Sequence, residues 1–408
     1  MRFATNARSV CVSYLLACSI AFPAYSDTFD GIIRESAIKN GFTPAAATYV
    51  PVDPELAEIG RVFFESKALS LNSDIACRTC HLDEFSSADG LPNAIGVLGV
   101  GRGAERALSR GTVVPRNTLP LWGRGAREFD VFFWDGKVDF SGGQQVSQFG
   151  GSPPSEDPLL VAVHLPPVEL REMLTEDAFV AAHKNESVET TEEVYAHIVE
   201  RLRSAEPEAV AALAARRSRT PSEVPFQDVA EALAAFIRSE FRIQPTPFHH
   251  FVFERADLPQ QARLGARLFY GKGKCASCHA GPFFSDLRFH AVAFPQLGFG
   301  KNGFGIDYGR FNTTHDPSDL YKFRTPPLLN VTKTAPYGHS GSVPDLATAI
   351  RAHFDPLSEI PIDRMSDFDR FEFYKRLSLS APSIVNMGFL SDSEVEALIA
   401  FLNALTFD

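Results

Sequence analysis

Apolar residues recur at helical spacing in several stretches of the chain and alternate at strand spacing in very few, so the pattern predicts a mainly α protein with long loops and few strands. From Asp53, the text DPELAEIGRVFFESKALS puts Leu56, Ile59, Val62 and Phe63 on one face, with Asp53 placed to cap the helix and Pro54 in its first turn. QQARLGARLFYGKGK, just ahead of Cys275, repeats this loosely: Leu264, Gly265, Leu268 and Phe269 correspond to Ile59, Gly60 and the run from Val62 to Phe64. Such an internal repeat predicts two related units. Between them, Thr191 to Arg242 carry Ala- and Glu-rich helical patterns ending in FQDVAEALAAFIRSEF, and the Pro-containing segment Ile243 to Asp257 reads as a linker. Gly281 to Thr334 is rich in Gly, Phe, Pro and Asn with little periodicity, which predicts long loops. The chain closes with SDSEVEALIAFLNALTF, where Ser391 and Glu394 form a capping box and Val395, Leu398, Ile399 and Leu402 an apolar face.

Charge and the first apolar run narrow the class. Arg2 and Arg8 precede an apolar stretch from Val10 to Phe22, and Ala24 and Ser26 form a small-x-small site before the first acidic residue, Asp27. This predicts an export signal over residues 1–26 and a periplasmic protein. LLAC, Leu15 to Cys18, offers a competing lipoprotein site that would leave Cys18 acylated; Leu fits its second position poorly, and the later site is preferred. No run reaches the length of a membrane span. The whole chain carries a net charge of −11, and the leader contributes two arginines and no acids. The remainder is therefore more acidic still, a surface that repels nucleic acid and suits the basic docking face of a small redox protein.

Of six cysteines, Cys11 and Cys18 fall in the leader, and the other four belong to CRTCH, Cys77 to His81, and CASCH, Cys275 to His279. None is left for a disulfide, the usual employment of cysteine in an exported protein. Two thiols three positions apart with an imidazole directly after are what covalent haem attachment requires. Cys77 and Cys80, and likewise Cys275 and Cys278, add to the vinyl groups of a macrocycle, while His81 and His279 become proximal iron ligands. A redox pair or half a zinc site would leave the histidine after each pair unexplained. The expected organisation is two cytochrome c-like haem domains, 27–242 and 258–408, joined by the linker 243–257, with the final helix available to pack back on the first domain and the 281–334 loops folded over the second haem. His249 and His250 in the linker are expected to be solvated.

An electron carrier and an enzyme differ in the sixth coordination position of each iron, because an oxidant binds only where that position is open. Between Glu84 and Val163 there is neither His nor Met. Met173 and His164 are the remaining candidates that could fold back on the first haem.

Several further motifs resemble the bacterial di-haem cytochrome c peroxidases and MauG over nearly the whole mature chain. PRN, Pro115 to Asn117, is followed by FFWDGK, Phe132 to Lys137, which is similar to the family's FWDGR. The resemblance implies that Trp134 lies between the two haems, where its oxidisable indole relays an electron hole. It also implies that Gln144, ten residues on, lines the distal pocket, and that Glu169 of PVEL works on peroxide. Glu169 stands 25 residues beyond Gln144, further than the family's spacing, and an insertion rich in Gly, Ser and Pro from Val146 to Asp157 accounts for this. Cleaving the O–O bond needs a base to take a proton from one oxygen and return it to the other, and desolvation is expected to raise the Glu169 pKa toward that task.

FRTPPLLNVTKTAPYGHSG, Phe323 to Gly341, resembles the family's KTPTLRNVELTAPYMHNG, with Leu329 in place of its Arg. This implies a calcium ion held by the carbonyls of Thr334 and Pro336 and the side chain of Asn117, oxygen donors of the kind Ca²⁺ accepts. Seventeen residues beyond Pro336, where the peroxidases place Met and MauG places Tyr, stands His353, implied to be the distal ligand of the second haem. The loop after the first haem, PNAIGVLGVGRGAERALS, lacks the His that the peroxidases carry there, as in MauG. The function implied is a periplasmic di-haem peroxidase that reduces hydrogen peroxide with electrons from a small cytochrome or copper protein. A MauG-like enzyme oxidising Tyr or Trp side chains of a partner protein is the first alternative, and a non-enzymatic di-haem electron carrier the second.

Overall fold

The computed structural model describes residues 24–143, 145–147, 149, 153–175, 188–380 and 388–407. Helix α1 (Ala24–Lys39) leads in. Asp53 then caps α2 (Pro54–Glu65), accepting the amide hydrogens of Glu55 and Leu56 at 3.0 and 3.2 Å. There follow α3 (Pro158–His164), α4 (Val188–Ala205), α5 (Pro207–Arg216), α6 (Phe226–Glu240), α7 (Pro247–Phe253), α8 (Gln260–Phe269), α9 (Leu346–Phe354), α10 (Asp367–Ser378) and α11 (Asp392–Asn403). The strands are short. An antiparallel sheet joins β1 (Val131–Phe132), β2 (Val138–Asp139) and β3 (Val146–Ser147), β4 (Phe289–Ala291) pairs with β7 (Lys322–Arg324), and β5 (Phe299–Gly300) with β6 (Gly303–Phe304). The mainly α class is as expected.

The internal repeat is a repeat of packing. Helix α2 lies against α6, and α8 lies against α11, each pair meeting at a glycine. A methyl group at Gly60 would stand 1.9 Å from the carbonyl oxygen of Ala232, and one at Gly265 would stand 1.9 Å from that of Ala397. The next neighbours, Phe236 and Phe401, also correspond. Only glycine lets the helices approach so closely. Each pair stands immediately beside one CxxCH motif and so positions it.

Four expectations need correction. The 243–257 segment is not an extended linker: it holds α7, whose Phe248 and Phe251 are fully buried and whose Phe248 packs on Phe42, Tyr270, Phe284 and Phe401. His249 is not solvated but buried beneath the Thr246 cap, its Nδ1 2.8 Å from Thr246 Oγ1; His250 is half exposed beside Glu254. Apolar residues of both halves therefore form one continuous core through this segment. The final helix packs on α8 in its own half, and the tail that follows it reaches the first half, where Phe407 meets Trp122 edge-on at 4.8 Å. Finally, the 281–334 region does not serve the second CxxCH motif alone, because the β5–β6 hairpin reaches across to the first.

Candidate functional site

Cys77–Cys80 form a single helical turn, with Thr79 Oγ1 accepting the Ala76 amide at 2.9 Å. The chain then turns so that His81 Nδ1 donates to the Ser87 carbonyl at 2.8 Å. In the second motif His279 Nδ1 donates likewise to the Phe284 carbonyl at 3.0 Å. A donating Nδ1 fixes the tautomer that leaves Nε2 as a lone-pair donor, the arrangement a metal-ligating histidine needs. Burial holds both imidazoles neutral, lowering each pKa to about 4. The four cysteines are unbridged, and burial pushes the thiols of Cys77 and Cys275 up to about 12. Cys278 differs: burial opposes its ionisation, but the neighbouring His290, itself bonded to Asp286 at 2.8 Å, lowers its pKa. Among the described residues these three form the one cluster of His, Cys, Asp and Glu side chains close enough to share a metal ion, and Cys278 belongs to the second CxxCH motif.

Each motif lines its own cavity. The first cavity holds Cys77, Cys80, His81, Trp134, Lys137, Glu169, Glu172, Met173 and Lys301; the second holds Cys275, Cys278, His279, Trp134, Phe294, His339 and His353. The walls fit haem on an independent ground. Arg124 on the first cavity and Arg324 on the second are buried guanidiniums with no carboxylate partner among the described residues, and each leaves one Nη2 without a hydrogen bond. They flank the Phe129 ring, 4.7 and 5.6 Å from its centre. Burial lowers the pKa of both, that of Arg324 to about 9. A buried cation left unpaired is costly, so the site calls for an anion, and the propionates of a bound haem would supply one.

Trp134 is buried, lines both cavities, and donates its indole N–H to the Asn117 carbonyl at 2.9 Å. On the second side it meets Phe323 edge-on, and Phe323 stacks on His339 at 3.9 Å. Across the second cavity, the rings of His279 and His353 stand 6.5 Å apart between centres. His353 Nδ1 donates to the Ala349 carbonyl at 2.7 Å, so its Nε2 also remains a lone-pair donor.

In the first cavity Glu169 forms an ion pair with Lys137, and Lys301 Nζ lies 3.8 Å from the same Oε1. The expected upward shift of its pKa is overturned. Burial alone would raise it, but the two ammonium groups outweigh burial and lower it to about 2. Glu172, in the same cavity, shows the reverse: burial and the negative charge on Glu169 raise its pKa to about 7.

The sequence model described as di-haem cytochrome c peroxidase, shared with MauG, matches residues 54–257. The chain belongs to the di-haem cytochrome c peroxidase family. Among its relatives, MauG of Paracoccus denitrificans is 26% identical over 395 residues, spanning 89% of this chain and 92% of that one. Cytochrome c551 peroxidase of Pseudomonas aeruginosa is 26% identical over 308 residues, 74% of this chain and 72% of that one. The fold is similar to that of the di-haem peroxidase BthA of Burkholderia thailandensis, with a TM-score of 0.64 at 21% identity over 90% of this chain and 89% of the other. Haem is thus a cofactor of this di-haem peroxidase-like enzyme.

For a di-haem peroxidase the expected residues are distributed as follows. His81, Trp134 and Glu169 share the first cavity with Met173, while His164 does not line it and is buried with Tyr195 and Phe226. Gln144 lies outside the described residues, as do Cys11 and Cys18. Asn117 and Pro336 are brought into direct contact, the Asn117 amide donating to the Pro336 carbonyl at 2.6 Å, whereas the Thr334 hydroxyl turns to Val331. Leu329 is buried in the apolar core, a position without need of a charge.

Sequence reasoning passed over several functional groups. Arg116, inside the quoted PRN, is buried and binds Asp135 at 2.6 Å and Asp307 at 2.8 Å, joining the two halves beneath Trp134. Lys137 stood at the end of FFWDGK, and its charge was the available signal. Lys301, Arg124 and Arg324 had none, because nothing local distinguishes them from surface cations.

Proposed function

We propose that this enzyme is exported to the periplasm and carries two covalently attached c-type haems, one on Cys77, Cys80 and His81 and the other on Cys275, Cys278 and His279. It reduces hydrogen peroxide at the first with electrons from a small cytochrome or copper protein. The observation that carries this reading is the inequality of the two cavities. His279 faces a second imidazole, His353, across the second cavity, and the two together would hold the iron of a haem bound there. The first cavity, which His81 lines, offers no second histidine among the described residues and holds instead the carboxylates Glu169 and Glu172, with Met173.

When bound, haem supplies iron that takes two oxidising equivalents from peroxide. The chain supplies the rest. Glu169, ionised between Lys137 and Lys301, accepts a proton from one peroxide oxygen and returns it to the other, so that two electrons and two protons convert the molecule to two waters. Trp134, the side chain common to both cavities, would connect them for the transfer of those equivalents. Asn117, Pro336 and Thr334 are proposed to hold Ca²⁺ at the seam between the halves through neutral oxygens, the Asn117 amide turning its oxygen inward.

A MauG-like oxidation of Tyr or Trp side chains on a partner protein is the second reading. It is favoured by the loop from Pro92 to Ser109, which contains no histidine to close the first cavity. Adding peroxide to the ferric protein and then a reduced c-type cytochrome separates the readings. Rapid oxidation of the cytochrome supports the peroxidase, and a lasting oxidised spectrum that ignores it supports the maturase. A ferric protein whose paramagnetic resonance shows only low-spin haem would mean that Met173 or another group closes the first iron, leaving an electron carrier.

A further inference from the structure

We propose that Lys301, carried on the β5–β6 hairpin of the second half of the chain, is a positioning residue of the first cavity: its ammonium holds Glu169 as an ionised proton acceptor. The inference rests on the reading of Glu169 given above and adds a residue to it from the other half of the molecule.

The geometry is specific. Lys137 and Lys301, from opposite halves of the chain, converge on the same oxygen of Glu169, Oε1. Lys137 comes from the β1–β2 turn within the first half. Lys301 comes from a hairpin locked in place on three sides. A methyl at Gly300 would stand 2.0 Å from the Ile306 carbonyl oxygen, so the hairpin lies tight against its own return strand. The Asn302 side chain donates to Asn312 at 2.7 Å and accepts the Tyr308 amide at 2.8 Å. Asn93, from the first half, donates to the Leu297 carbonyl at 2.8 Å and pins the base of the hairpin across the seam. A lysine serving only solubility would not need so fixed a platform.

The charges facing Glu169 come from each neighbouring element. Lys137 and Lys301 favour its ionised form, while Asp135 disfavours it but is committed to Arg116; Glu172 lies in the same cavity and is itself held towards the neutral form. Removing Lys301 takes away one of the two cations that offset burial.

The test uses holoprotein with both haems. The rates of peroxide consumption and of hydrogen cyanide binding to the ferric protein, which also requires loss of a proton, are measured against pH for the wild type, Lys301→Met and Lys301→Arg. The same series is repeated in a Lys137→Met background. The expected result is that Lys301→Met moves the acid limb of both profiles up by about one pH unit, that Lys301→Arg restores it, and that Glu169→Gln abolishes it in every background. Unchanged profiles in both backgrounds would overturn the proposal, as would a limb that persists in Glu169→Gln. A wild type that binds cyanide but does not consume peroxide would refute the peroxidase reading instead, and the cyanide profile would still decide the role of Lys301. Haem content and absorption spectra of each variant separate these outcomes from misfolding.

Discussion

Three imidazoles, those of His81, His279 and His353, each commit Nδ1 to a backbone carbonyl, and burial lowers the pKa of each. What separates their roles is what stands opposite. His353→Ala should convert the second haem to high spin in the ferric paramagnetic resonance spectrum and leave the first unchanged; a surviving low-spin signal would remove His353 from the ligands. The carboxylates of the first cavity divide in the same way. Glu172, raised to about 7 in the folded protein from an unfolded value of roughly 4.3, favours folding relatively more when protonated. Its contribution is intact below the unfolded pKa and is lost as pH rises through the folded one. Glu172→Gln should accordingly raise the melting temperature at pH 8, with little change at pH 4. Equal shifts at both values would show that Glu172 is ionised throughout. Glu169 and Glu172 were equally visible in PVELRE, yet their opposite protonation could not be read there, because it depends on lysines that other elements deliver.

At the scale of elements, the α2–α6 and α8–α11 pairs are the frame on which both CxxCH motifs hang. The sequence signalled this through Gly60 and Gly265, but the reason for those glycines is the opposing carbonyl of Ala232 or Ala397. Gly60→Ala and Gly265→Ala should each cost at least ~1–3 kcal/mol, since a backbone contact of this kind is relieved only by moving a helix. Gly142→Ala, whose added methyl meets nothing within 4 Å, should stay within about 0.5 kcal/mol. Urea unfolding of the three variants distinguishes them. The α7 segment was misjudged for a physical reason: Pro245 and Pro247 look like linker punctuation, whereas Pro247 sits in the first turn of the helix and Phe248 and Phe251 are drawn into the core by both halves.

For the molecule as a whole, the two cavities meet at the seam between the halves. Trp134 borders both cavities, Arg116 ties Asp135 to Asp307 beneath it, Arg124 and Arg324 flank Phe129, and Lys301 crosses from one half to the other. Trp134→Phe should leave the initial reaction with peroxide at its wild-type rate while slowing oxidation of a reduced cytochrome, as stopped-flow absorbance would record. Loss of both rates together would instead make Trp134 a structural support of the first cavity. The seam also explains why one continuous core serves two haem units, because their burial is shared through α7.

The sequence by itself determined the helical class, the caps at Asp53 and Ser391, the repeat around Gly60 and Gly265, and the two CxxCH motifs at Cys77 to His81 and Cys275 to His279. All of these are local patterns, set by side chains a few positions apart. Tertiary structure alone decided which charges meet. The ionisation of Glu169 comes from Lys137 and from a hairpin in the other half, the approach of His353 to His279 from the packing of α9 over the second cavity, and the guanidiniums of Arg124 and Arg324, without a carboxylate partner among the described residues, from burial against one phenyl ring. Electrostatic contacts act through space, and the order of residues along a chain does not state which distant groups folding will bring within reach.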